Sequence, residues 1–178
     1  MPEASRSDAW ILAGGNTAGS LAEKRRAPRQ GRGKQSPMPS THLSLHYHLV
    51  FGTKDREPWI DQGWRDRLHV YLGGVPEAVG GMADHVHLLI GLKSTHRLSD
   101  VLRDLKRASS EWVHVNIPLP VFAWPEGYGA FTVSASNRSE VAAYIARQEE
   151  HHRKRTFREE YLEFLRKSGV EFEERFLD

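Results

Sequence analysis

The sequence has no cysteine among its 178 residues. Disulfides, thiolate metal sites and cysteine nucleophiles are therefore excluded. It also lacks a long apolar run. Trp10, Ile11 and Leu12 are followed at once by Ala-Gly-Gly, too short for a signal-peptide core or a membrane-spanning helix. A cytoplasmic protein with no membrane partner is the default expectation. No sign of charge dominates: 25 Lys and Arg face 23 Asp and Glu. The basic excess is confined to residues 1–37, which hold seven Lys and Arg against three acids. That stretch has no sustained apolar periodicity and reads as a disordered basic tail. Met38 stands just before the patterned region, so the tail reads as a start-site extension. An arm that contacts phosphate is the sharper alternative. Residues 38–178 are long enough for one domain with a real core.

What is present is alternation of strands and helices. Residues 42–54, HLSLHYHLVFGTK, alternate and are rich in β-formers. Residues 61–72 have helical spacing behind Asp61 as N-cap, and Gly73-Gly74 ends them. Residues 76–81 leave room for a short strand, and 85–92 form the next. Ser99 is the expected cap of a second helix with Asp100 in its first turn. A strand over 128–133 follows. Asn137 and Glu140 form a capping-box-like start to a third helix reaching about His152. A last helix covers about 156–167 and stops at Gly169. This order implies an α+β fold: a ferredoxin-like split βαβ sandwich, with helices on an antiparallel sheet and a C-terminal catalytic helix.

The stretch GGMADHVHLLIG places His85 and His87 on one face of a strand, with Val86 on the other. Two adjacent imidazoles are natural ligands for a divalent cation. Two partly buried histidines bonded to backbone are the commoner outcome for such a pair. His46 and His48 offer a decoy with the same spacing. Tyr144 and Gln148 lie four apart on the third helix and so share a face. Gln148 offers a hard carbonyl ligand suited to Mg²⁺ or Mn²⁺, and Tyr144 a phenol that can act as a covalent nucleophile. The run from Glu149 to His152 is a rival ligand cluster. Its neighbours point in different directions, and it lacks a helical ligand spacing such as H-E-x-x-H.

The segments GGMADHVHLLI, LKRASSEW, WPEGYGAFTVS and VAAYIARQEEHHRKRTFREEYLEFL occur in this order. Together they resemble the single-tyrosine HUH transposases of bacterial insertion sequences, closest to the REP-associated tyrosine transposase branch. The resemblance covers about residues 43–176. It implies a ferredoxin-like fold, His85 and His87 as the metal-binding pair, Gln148 as third ligand and Tyr144 as nucleophile. It also implies a divalent metal, Mg²⁺ or Mn²⁺, single-stranded DNA with a hairpin as substrate, a 5′-phosphotyrosine intermediate with a freed 3′-OH, and a possible homodimer. One departure stands out. The family usually has more chain between the first helix and the HUH strand, so one of the elements there is expected to be cut short. The rival class is a non-catalytic relative that keeps only hairpin binding.

Several further residues suit that chemistry. Asp84 is placed to orient an imidazole by hydrogen bonding. Arg103, Lys106 and Arg107 on the second helix, and Arg153, Lys154 and Arg155 after the catalytic one, are candidate phosphate contacts. Trp124 and Tyr128 are candidates for stacking on unpaired bases. Solvated charge and core packing are the bland alternatives for each.

Overall fold

The computed structural model of the protein describes residues 42–74 and 76–173. The expected basic tail lies outside the described residues. Among the described residues, the regular elements fall in the unit that begins at Ser44. At its centre β1 (Leu45–Gly52) and β3 (His85–Leu92) pair antiparallel. The edge strand β2 (Ala78–Gly81) joins β3, and β4 (Gly129–Val133) joins β1, both antiparallel. The resulting order is β2-β3-β1-β4. With α1 (Gln62–Leu72) after β1 and α2 (Leu98–Asn116) after β3, this is the split βαβ arrangement implied by the element order. No described helix is long and apolar enough to cross a membrane.

Local chemistry explains most boundaries. Asp61 caps α1, its side chain accepting from Gly63 N–H at 2.7 Å. α1 keeps eleven residues, whereas β2 has only four, so the short element before the strand that carries His85 and His87 is the sheet edge. Ser99 does not cap α2. Arg97 holds extended backbone and its carbonyl accepts from Val101 N–H, so the helix starts at Leu98. Nor does Asn137 cap the next helix. It ends a 3₁₀ turn, Ala135–Asn137, with helical backbone, and its Oδ1 accepts from Ser136 Oγ. The helix expected to run to His152 is divided in two. α3 (Arg138–Ala146) and α4 (Gln148–His152) meet at Arg147, whose φ of −105° and ψ of 23° break the helix. Thr156 and Glu159 form a reciprocal capping box that starts α5 (Phe157–Lys167).

The sheet is covered on both faces. On one, Phe51 meets Trp124 edge-on at 4.9 Å, and Phe122 packs among Trp59, Trp64 and Trp124. α1 and α2 lie on this side, joined by Tyr71 stacked on Trp112. On the other, Leu89, Val133 and Ile145 form a small core with Val141 and Ala142 of α3. Strand alternation assigns Val86, Leu88 and Ile90 to the first face and His85, His87 and Leu89 to the second.

Gly80 lets α3 come close to β2. A Cβ there would lie 2.0 Å from the carbonyl oxygen of Ile145. Gly80→Ala must push back the end of α3, which carries Tyr144 and precedes Gln148. We expect a loss of about 1–3 kcal/mol in stability, from overpacking. Melting curves test this, and an equally stable variant would contradict it.

Candidate active site

His85 and His87 are 1% and 0% exposed. Buried imidazoles need partners at both ring nitrogens. Each has one at Nδ1. His85 Nδ1 lies 2.6 Å from Asp84 Oδ1, and His87 Nδ1 lies 2.9 Å from His48 Nε2. A carboxylate only accepts, so His85 donates from Nδ1 and its Nε2 is a bare lone pair. The Nε2 atoms of both rings are buried without a hydrogen-bond partner. Leaving a buried acceptor unsatisfied costs about 1–3 kcal/mol. Two unpartnered nitrogens side by side on one strand face fit a cation.

Gln148 is 2% exposed. The break at Arg147 turns it inward. Its Nε2 donates to Glu160 Oε1 at 3.3 Å, and its Oε1 has no partner. Glu160 Oε2 in turn lies 3.4 Å from His87 Nε2. Tyr144, on the other side of the break, sits at the edge of this group. Its ring centroid is 6.2 Å from that of His87, 6.0 Å from His48 and 5.2 Å from His151. Tyr144 and Gln148 therefore reach one site from two short helices, not from successive turns of one helix. Tyr144, Arg147, Glu150, His151, Lys154 and Arg155 line a cleft of about 280 Å³.

Asp84 is held from behind. Its Oδ2 accepts from Arg56 Nη2 at 2.5 Å, and the Arg56 guanidinium lies 3.6 Å from the centroid of the Phe157 ring. Arg56 and its neighbour Asp55 have φ of 59° and 57°, a left-handed conformation uncommon for such residues. Burial alone would raise the Asp84 carboxyl, but the hydrogen bond from His85 and the charge of Arg56 hold it below its usual value.

Burial controls the other titrations. It lowers His48 and His152 to about 4, and it lowers His85 against the pull of Asp84. His87 is pushed well down by burial and by the neighbouring imidazoles. Glu160 moves the other way, raised to about 8 by burial and then by Glu163. These shifts act on stability with opposite signs. Between pH 6.5 and 4 the unfolded chain binds protons that folded His48 and His152 refuse, so stability falls as pH drops. Between pH 4.5 and 8 folded Glu160 keeps a proton that the unfolded chain releases, so stability falls as pH rises. Metal-free protein should thus be most stable slightly below neutral pH. Melting in chelator from pH 4 to 9 checks this, and a maximum at either end would contradict it.

The family model for IS200-like transposases matches residues 41–148. The chain belongs to this family. A protein of Deinococcus radiodurans R1 whose crystal structure is presented as that of a transposase is 27% identical. It aligns over 64% of this chain and 98% of its own, with a TM-score of 0.51. A REP-associated tyrosine transposase bound to a REP hairpin is 13% identical over 66% of this chain and 74% of its own, with a TM-score of 0.47. No curated protein sequence matches the chain significantly.

In this IS200-like transposase the basic residues divide by location. Arg153, Lys154 and Arg155 follow α4 and line a cleft of about 660 Å³ that also holds Asp84, His85 and His152. Arg155 is paired with Glu163. Arg103 and Arg107 lie on α2, across the sheet from the histidines, and pair with Asp100, Asp104 and Glu111 of the same helix. Lys106 has its ammonium within 3.3 Å of the carbonyls of Pro125, Glu126 and Gly127. That ties down the WPEGYG turn. Trp124 donates to Ser109 Oγ and packs on Phe51, while Tyr128 is 40% exposed at the same turn.

Four residues of the site carry little sequence signal. His48 reads in sequence as a decoy and His152 as part of a rival cluster, and nothing in the sequence singles out Arg56. That cluster does split as expected: Glu149 turns away to Arg65 at 2.5 Å, while His152 turns in. Glu160 is the fourth. The capping box fixes the phase of α5, and a carboxylate midway between Phe157 and Phe164 on its apolar side is the available signal.

Proposed function

We propose that this transposase nicks and rejoins single-stranded DNA through Tyr144, on substrates that contain a hairpin. The observation that carries the reading is the His85–His87 pair, with both Nε2 atoms buried and unpartnered beside the Tyr144 ring. His85, His87 and Gln148 would hold a divalent cation. A cation bound there would polarise a non-bridging oxygen of the scissile phosphate. Asp84, backed by Arg56, keeps the His85 proton on Nδ1 and its Nε2 free. The phenol oxygen of Tyr144 forms a bond to phosphorus while the bond from phosphorus to the 3′ oxygen breaks. The phenol proton is taken up by the departing oxygen, giving a 3′-OH and a 5′-phosphotyrosine. The phosphodiester energy is kept in that link, so rejoining needs no nucleotide cofactor.

Arg153, Lys154 and Arg155 support the approach of a polyanion to this side of the sheet. The hairpin enters from the likeness of the four linked segments to the REP-associated branch. The four-residue edge strand favours the second reading, a relative that binds structured DNA without cutting it. Incubation with hairpin-containing single-stranded DNA and Mn²⁺ separates the two. A covalent protein–DNA band on a denaturing gel supports the enzyme. Hairpin binding with no band and no cleaved strand supports the binder.

A further inference from the structure

His152 and Glu160 have no part in that reaction, yet both turn into the centre of the site. His85, His87, His152 and Glu160 offer four potential ligand atoms that all lie within 4.8 Å of one another. Glu160 Oε2 is 3.4 Å from His87 Nε2 and 3.3 Å from His152 Nε2. None of these three atoms, nor His85 Nε2, has a hydrogen-bond partner.

Proton positions sharpen the point. His152 Nδ1 lies 3.0 Å from the carbonyl oxygen of Arg155. A carbonyl only accepts, so Nδ1 carries the proton and Nε2 of neutral His152 is a lone pair. The same reasoning holds for His85 against Asp84. Two nitrogen lone pairs and a carboxyl oxygen thus converge. Once Glu160 is ionised these acceptors repel each other unless a cation lies among them. The spacing agrees. Four ligands on a tetrahedral ion with bonds of about 2.0–2.1 Å sit about 3.4 Å apart.

We propose that His152 and Glu160 join His85 and His87 as ligands, so that the DNA-free chain holds a first-row transition-metal ion through three imidazoles and a carboxylate, in preference to Mg²⁺. The proposal rests on the reading of the histidine pair as a metal site, and extends it to α4 and α5. Imidazole nitrogens suit Mn²⁺ through Zn²⁺, with affinity rising from Mn²⁺ to Cu²⁺ and falling again at Zn²⁺, whereas Mg²⁺ demands oxygen and water. Gln148 Oε1 remains as a fifth donor beside the four. The arrangement also explains the break at Arg147. An unbroken helix would carry His152 two turns beyond Tyr144 along one axis, and the turn instead brings it to 4.6 Å from the His85 ring.

The test uses the full chain, stripped with chelator and titrated with Co²⁺ while its visible absorption is read. Calorimetry with Mn²⁺ and Mg²⁺ follows. Wild type should show the intense bands of a four- or five-coordinate Co²⁺ ion and bind Mn²⁺ at least ~10-fold more tightly than Mg²⁺. Glu160→Gln keeps the shape and the partner for Gln148, and His152→Ala removes one ring. Each should weaken Co²⁺ binding at least ~10-fold and change the bands. If both variants bind as wild type does while His85→Ala does not, the proposal falls and the simpler His85–His87–Gln148 site stands. If His85→Ala also binds unchanged, both readings fall. Should a variant not fold, the wild-type spectrum decides: the weak bands of six-coordinate Co²⁺ overturn the proposal.

Discussion

Tyr144→Phe is expected to abolish strand cleavage and the covalent adduct, a loss of at least ~10³-fold in rate. The substitution removes one oxygen and keeps the ring. That ring packs beside Leu89, Val133 and Ile145 and meets Phe164 and His48 edge-on, and phenylalanine preserves each contact. Folding, metal binding and hairpin binding should therefore be unchanged. Tyr161 is the nearest rival, since it also lies on a helix. Its ring stacks on Phe157, burial raises its phenol further, and Glu160 and Glu163 flank it. A Tyr144→Phe variant that still nicks DNA would shift the attack to water or to that residue.

His85→Ala should have the second largest effect. It deletes one bare Nε2 and leaves Asp84 paired with Arg56, so the local ion pair survives. Metal affinity should fall at least ~100-fold, more than the loss of a partner behind a ligand usually causes. Cleavage in Mn²⁺ should fall with it. Hairpin affinity should stay within a few fold, because the phosphate contacts we propose lie at Arg153, Lys154 and Arg155. Calorimetry and a gel-shift titration on the same sample separate these effects. Equal loss of DNA binding and metal binding would mean that His85 acts through the fold.

The fold was largely legible because its signals are local. Asp61, Thr156 with Glu159, and the β-formers of β1 and β3 each state a boundary in a few residues. The period-two pattern fixes the common face of His85 and His87 once residues 85–92 are read as a strand. What escaped depends on contacts distant in sequence. His48 becomes the partner of His87 through the β1–β3 register, which pairs His48 with Leu89 and Val50 with His87. Arg56 reaches Asp84 from a left-handed turn that no residue type there announces. The break at Arg147 occurs in a stretch, VAAYIARQEEHH, with neither proline nor glycine. Its cause lies in the burial of Gln148 and His152 against β3 and α5, which helix propensity does not register. Glu160 looked like one acid among many because its burial follows from packing, not from its neighbours in sequence.

The most direct measurement is to digest the protein–DNA adduct formed on hairpin-containing single-stranded DNA with Mn²⁺ and identify the modified peptide by mass spectrometry. The expected result is one nucleotide-bearing peptide, with the phosphate on Tyr144 and the complementary fragment ending in a 3′-OH. A phosphate on any other residue, or cleaved DNA with no adduct at all, would contradict Tyr144 as the attacking group.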